Sequence, residues 1–253
     1  MNNIFEILDL CTKVNYVGQK IPKNMFYQQG NLSHDDEKTF VEFIEKIEMS
    51  YVLDSSNINI DVFINEEYNY SAIGYMKINL KKDDKVDKIS RIIQSNIPNP
   101  LVIIFEYNCK VCISTSLKRI NKSDNSKVVL ECINTTPWID MKNIDDNSEK
   151  FLGSISFESL DFTNFYEFYK LIDDRIYTFK NAEVMGGYET ITDKSKIEDT
   201  KAIIEKINQY NEDLKKIVAK INRESQFNKK MKLNIEANNI KKEIEKLQAN
   251  IKR

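Results

Sequence analysis

Apolar residues recur along this chain in three rhythms, and each predicts a different element. Ala72-Ile73-Gly74-Tyr75-Met76-Lys77-Ile78-Asn79-Leu80 reads as a strand. Val86, Ile89 and Ile93 then recur at helical spacing, and Ile97-Pro98-Asn99-Pro100 stops that helix. Leu101-Val102-Ile103-Ile104-Phe105 is a short unbroken apolar run, the pattern of a strand buried on both faces. Strand, helix and strand with short joints predict a right-handed crossover between two parallel neighbours. The rest of the N-terminal chain reads as packing around this unit.

Asn3 to Leu10 is a short helix with Ile4, Ile7 and Leu8 on one face. Ser33 reads as the N-cap of a second helix, with Asp35, Asp36 and Glu37 placed favourably against its dipole. Phe40, Phe43, Ile44, Ile47 and Tyr51 form the buried stripe expected of that helix. Residues 57–64 carry isoleucine or valine at every even position, which predicts a half-buried strand. Val111 to Ile120 is a strand paired antiparallel with 101–107 through a turn at Asn108. Val128 to Thr135 is a further strand, and Trp138, the only tryptophan, follows as a cap on the core. From Asp161, Phe162, Phe165, Tyr169, Ile172, Ile176 and Phe179 line one side of a helix that covers a sheet face.

Gly186-Gly187 is the strongest break, and no Gly or Pro follows it. Beyond it Ile197, Ile204, Ile207, Leu214, Val218 and Ile221 fall on a 3-4 spaced seam, with Thr200 and Asn211 as its polar members. A second seam runs Leu233, Ala237, Ile240, Ile244, Leu247 and Ile251, out of phase with the first. Both are heptad patterns. The polar stretch between them is either a stutter in one long helix or the corner of a helical hairpin. The expected fold is therefore α+β. A mixed β-sheet with a central β-α-β unit and flanking helices fills residues 1–188, and a coiled-coil helix or helical hairpin fills 189–253. Neither half of that arm is long enough to be secure alone, so it needs a partner helix.

Composition changes this picture in two places. The 253 residues carry a formal charge of −2, but from Thr190 onward there are 16 Lys and Arg against 10 Asp and Glu. The arm is basic and the body acidic, which suggests an acidic partner or a nucleic acid for the arm, although charge alone favours a solvated helix kept soluble by its lysines. Arg223, Lys229, Lys230 and Lys232 cluster where neither seam can pack, and Phe227 and Met231, four residues apart, offer an apolar anchor there. These six are the candidate partner-binding residues. The other change is an exclusion. With His34 as the only histidine, no His-dependent triad or multi-histidine metal site can be built. Cys109 and Cys112 have zinc-knuckle spacing, but only Cys11, Cys132 and His34 remain as further ligands, so turn or core cysteine is the better reading. No metal and no cofactor are expected. No apolar run nears the roughly 18 residues that span a bilayer, and the start lacks a signal-peptide pattern, so no membrane association and a cytoplasmic location are expected.

Three short motifs occur here in a recognisable order. They are Lys20-Ile21-Pro22-Lys23 with Phe26-Tyr27, then Ile97-Pro98-Asn99-Pro100, then Gln226-Phe227-Asn228-Lys229-Lys230 with Leu233-Asn234. On these the chain resembles, nearly end to end, the uncharacterised bacterial family called domain of unknown function 4391. The resemblance implies genes beside helicases and DNA methyltransferases of restriction or phage-defence type, and it carries no catalytic residues. Separately, the element order resembles restriction-type nuclease folds, with Asp61 as the lone acid and Asn79-Leu80-Lys81 where such folds have an acid-x-Lys triplet. Asn79 brings no charge to a metal, so that enzyme is the alternative, and nucleic-acid binding without catalysis a further one. The reading favoured is a non-catalytic accessory subunit of a DNA-processing system. It docks a helicase or methyltransferase subunit, or itself, through the coiled coil.

Overall fold

The computed structural model describes residues 3–29, 32–124, 127–191 and 193–251. The chain divides into two compact units, Met1–Lys180 and Asn181–Arg253. In the first, short helices α1 (Ile4–Ile7) and α2 (Leu10–Lys13) lead to strand β1 (Gln19–Lys20), α3 (Asn24–Gln29) and α4 (His34–Phe43). Strand β2 (Ile44–Asp54), the small hairpin β3 (Phe63–Ile64) and β4 (Asn69–Tyr70), and β5 (Ala72–Leu80) follow. Helix α5 (Val86–Asn96) crosses to β6 (Leu101–Tyr107), which turns into β7 (Lys110–Thr115). Then come β8 (Lys118–Ile120), β9 (Val128–Leu130), β10 (Asn134–Thr135), β11 (Ile139–Asp140), α6 (Asp146–Ser154) and α7 (Phe165–Lys180). The sheet runs β1-β2-β5-β6-β7-β10, with β11 also on β7, and β5–β6 is its parallel pair.

Strand β6 explains the layering. Leu101, Ile103 and Phe105 enter one hydrophobic cluster with Met76, Ile78 and Leu80 of β5, Ile89, Ile92 and Ile93 of α5, and Phe26 and Phe40 of α3 and α4. Val102 and Ile104 alternate to the opposite face and are equally buried. Both faces of β6 are thus covered, as its unbroken apolar run demands. The β6–β7 turn places Asn108 at φ 45° and Cys109 at φ 66°. Two consecutive left-handed residues make the tight primed turn that suits a twisted hairpin. Gly74 of β5 sits where a Cβ would come within 2.7 Å of Leu101 Cδ2 and 3.1 Å of Met49 Sδ, so the missing side chain makes room for these two neighbours on its face.

Two expectations are corrected. The helix capped by Ser33 is present, its Oγ accepting from the Asp36 N–H at 3.2 Å, but it ends at Phe43. Ile44, Ile47 and Tyr51 belong to strand β2 instead. Irregularities in its register with β5, between Ile44 and Lys46 and between Met49 and Tyr51, each skip a residue. The first bulge lets Ile44 and Ile47, three apart, share the core face, while the second turns Tyr51 to the opposite face beside Tyr75. The stripe read as helical because all three are buried, on one face or the other. The second correction is the strand over 57–64. Ile58 and Ile60 are buried, but the Ile60 N–H donates back to the Ile58 carbonyl at 3.0 Å and breaks the extended run, leaving Val62 and Ile64 exposed. The strand expected over Val128 to Thr135 forms as two short pieces, β9 and β10, and that over 111–120 as β7 and β8.

Buried polar groups fasten α7 and the β6–β7 edge. Tyr169 Oη donates to the Leu101 carbonyl at 2.7 Å and accepts from the Ser116 N–H at 3.1 Å. Asp173 accepts from Thr115 Oγ1 at 2.6 Å and from Asn134 Nδ2 at 3.0 Å. Lys118 is 3% exposed, and its Nζ donates to the carbonyls of Ile97 and Asn99 at 2.6 and 2.8 Å, clamping the turn that ends the crossover.

In the second unit, α8 (Ala182–Met185) precedes α9 (Lys194–Arg223) and α10 (Phe227–Ile251). The Gly186–Gly187 break lies inside this unit, with Gly186 at φ 77° ending α8. Of the two arrangements left open for the heptad seams, the structure has the hairpin, with Glu224-Ser225-Gln226 at its corner. Among the described residues no helix is long and apolar enough to cross a membrane.

Burial holds the Lys118 amine well below the ordinary lysine value of 10.5. The unfolded chain therefore binds the extra proton between those two pKa values, and stability rises with pH across that window. Urea denaturation at rising alkaline pH, kept below tyrosine ionisation, should show wild type gaining on Lys118→Met as pH increases. Parallel curves would mean that the amine is not titrating in the fold.

Candidate docking surface and a polar cluster on the sheet

Lys77 and Asn79 alternate with the core residues Met76, Ile78 and Leu80, so they face the other side of the sheet. The first bulge in β2 brings Lys46 and Glu48 to that same side, in register with Asn79 and Lys77. Glu106 of β6 lies beside Asn79. Asn79 Nδ2 donates to Glu106 Oε2 at 3.0 Å, and Lys77 pairs with the same carboxylate at 3.6 Å. Glu48, only 5% exposed at its side chain, accepts from Tyr16 Oη at 2.5 Å, from Ser50 Oγ at 3.3 Å and from Lys46. Burial pushes the Glu48 carboxyl up, but the hydrogen bonds from Lys46 and Tyr16 outweigh it and hold the group below the usual range. The bond to Glu48 in turn raises the Tyr16 hydroxyl.

A cleft of about 390 Å³ opens over part of this cluster, at the carboxyl ends of the parallel pair, and includes Glu45, Lys77, Asn79, Glu106 and Lys110 in its lining. Each half-buried carboxylate here already has a cation and a neutral donor. Such an arrangement orders the sheet face and presents a nearly neutral polar floor.

The three residues of the nuclease-like alternative are not brought together. Asp61 bridges to Asn164, and its carbonyl accepts from the Phe165 N–H at 3.0 Å at the start of α7. Lys81 Nζ donates to the Val41 carbonyl at 2.9 Å, at the last turn of α4. No hydrogen bond or ion pair joins Asp61 to Asn79 or Lys81. The acid beside Asn79 is Glu106, which lies 27 residues further on and forms no local motif that a sequence pattern could flag. Cys112 is buried and its Sγ donates to the Thr136 carbonyl at 3.1 Å, while burial pushes its thiol up to about 12. Among the described residues, no group of three or more His, Cys, Asp and Glu side chains is arranged to hold a metal ion.

The six candidate partner-binding residues do come together, at the hairpin corner. Arg223 ends α9, and Phe227, Lys229, Lys230, Met231 and Lys232 occupy the start of α10. Phe227 is 75% exposed, Met231 50% and Ile235 56%. Four-residue steps put these three on one helical face. Ile235 was not among the predicted residues, although continuing the same step would have found it. Arg223, Lys229, Lys230 and Lys232 make no ion pair among the described residues, unlike Lys215, Lys216 and Lys246 elsewhere on the arm.

A protein-family model described as "Domain of unknown function (DUF4391)" matches residues 13–244. Comparison with curated proteins and with solved structures found no match. The matched range runs through α9 and most of α10, so the hairpin is part of what defines the family.

The polar cluster predicts an acid-side stability effect. A carboxyl held low in the fold stabilises fully above its unfolded value, and that contribution is lost as pH falls through the folded pKa. Glu48→Gln should cost about 1–2 kcal/mol at neutral pH, by weakening a charge-assisted hydrogen-bond set. The difference from wild type should close in strong acid. Chemical denaturation at the two pH values checks this, and an undiminished difference in acid would show that the effect is packing.

Proposed function

The chain belongs to the DUF4391 family, and we propose that it is a non-catalytic accessory subunit that docks a larger protein through the corner of its helical hairpin. One observation carries this reading. Phe227, Met231 and Ile235 form an exposed apolar strip at a turn flanked by four cations that make no ion pair among the described residues. Covering a half-exposed apolar face is the main source of association free energy, and an aromatic at its centre is the usual anchor. The cations define the partner's chemistry. Two copies meeting corner to corner would oppose like charges, whereas an acidic surface with an apolar centre complements both features. The loci implied by the family resemblance make the partner a helicase or DNA methyltransferase subunit of a restriction or phage-defence system.

The second reading, a nuclease-like enzyme, has Glu106 in its favour, because it sets a carboxylate beside Asn79 and Lys77. Against it, that carboxylate is already engaged by both neighbours. Plasmid DNA incubated with the chain and Mg²⁺ or Mn²⁺ should stay uncut. Cleavage lost in Glu106→Gln, or in both Asp61→Ala and Lys81→Ala, would establish the enzyme instead.

The docking reading is tested with the full-length chain as bait in its native host. Phe227→Ala should lose the captured partner more completely than any single lysine change, by at least tenfold in affinity, corresponding to about 1.4 kcal/mol or more. Direct nucleic-acid binding would give the opposite pattern. Duplex binding would then fall steeply with salt, would be lost in Lys229→Ala/Lys230→Ala, and would survive in Phe227→Ala.

A further inference from the structure

Lys118 of β8 is buried without a counter-ion. Its Nζ is held by two neutral carbonyls, those of Ile97 and Asn99 on either side of Pro98, and it makes no ion pair among the described residues. Pro98 and Asn99 also wall a cavity of about 80 Å³, whose lining includes Lys118, Arg119 and Lys127 and no Asp or Glu. All of it lies in the first unit. We propose that Lys118 is a carbon dioxide site, where the amine and CO₂ combine as a carbamate.

Each feature narrows the ligand. A buried ammonium without an anion is costly, so the amine gives up its proton, in line with the burial that holds it well below the ordinary lysine value. An uncharged lysine amine is a nucleophile at neutral pH, and its ligand is therefore an electrophile. The two carbonyls accept the two N–H bonds of the neutral amine and leave its lone pair for a new bond. The cavity is far smaller than the roughly 300–1,000 Å³ of clefts that take drug-sized ligands, so the electrophile has only a few atoms. An aldehyde would form an imine, with no N–H left for either carbonyl. CO₂ leaves one, and it is small and uncharged enough to reach a buried amine. The lone pair attacks the carbon, one C=O π pair moves onto oxygen, and the nitrogen releases a proton to solvent: Lys–NH₂ + CO₂ → Lys–NH–COO⁻ + H⁺. No oxidant or further co-reactant is needed. The new carboxylate meets basic side chains and no acid in the lining. The site does not rest on corner docking.

The full-length chain is equilibrated near neutral pH with carbon-13-labelled CO₂ and bicarbonate. Carbamate carbons give a resonance of their own, and trapping with a trialkyloxonium reagent before peptide mass analysis fixes the position. The chain's α-amino group, partly uncharged at this pH, is the internal positive control. Lys118 should be trapped roughly tenfold or more above the average surface lysine, whose amine is protonated. In guanidinium chloride it should fall to the level of the others, because the unfolded amine regains its proton. Lys118→Met should remove its resonance. That substitution also removes the clamp on the Ile97–Pro100 turn, so the map of the wild-type chain decides. With the α-amino group labelled, no carbamate at Lys118, an occupancy no higher than that of other lysines, or one unchanged by unfolding would overturn the proposal.

Discussion

The first unit depends on the double burial of β6. A strand whose residues are apolar on both faces is stable only if both faces are covered, and its parallel pairing with β5 requires a crossover long enough to return. Helix α5 is that crossover and supplies the cover on one side. On the other side α7 contributes Tyr169, whose hydroxyl reaches the Leu101 carbonyl where β6 begins. Gln94 of α5 donates to the same carbonyl at 2.9 Å. One carbonyl thus ties both covering helices to the strand, and Gln94, Leu101 and Tyr169 are all fully buried. Gly74 leaves room for the Leu101 side chain, and the Lys118 clamp holds the Ile97–Pro100 turn that starts β6.

What the sequence made legible follows from how local each signal is. The β5-α5-β6 unit could be read because period, proline stop and apolar run all agree within 36 residues of one another. The β6–β7 hairpin was readable from one turn residue. Strand β2 was not, because its bulges exist only relative to β5, and nothing in residues 44–54 announces a partner yet to come. The 57–64 stretch failed for the converse reason. Its alternation was real, but no neighbouring strand takes it up, and a three-residue turn at Ile60 was free to form. The corner residues were legible as charge and spacing. Glu106 was invisible because its meaning comes from the parallel register with Asn79.

The two units manage charge in opposite ways. On the sheet face Glu48 and Glu106 are each met by a lysine and a neutral donor, so little net field leaves the cluster. Half-buried ion pairs of this kind are weak contributors to stability, but they make misregistered strands costly, since a slip would strand a charge. On the arm, acids and lysines pair along α9 and α10 at three-residue steps, whereas at the corner Glu224 is the acid of the turn and Arg223, Lys229, Lys230 and Lys232 make no ion pair among the described residues. An unpaired basic patch at the turn of a hairpin is electrostatically open in a way that the body is not.

Magnitudes bound what the corner can hold. Fully burying one large apolar side chain is worth about 1.5–3 kcal/mol, so covering what remains exposed of Phe227, Met231 and Ile235 yields on the order of 3–5 kcal/mol. Association costs an estimated 4–15 kcal/mol in lost freedom, so that strip alone cannot hold a partner tightly. Screened lysine contacts add little at physiological salt. A tight complex therefore needs contact area beyond the strip, and the strip then sets where a partner sits more than how strongly it is held.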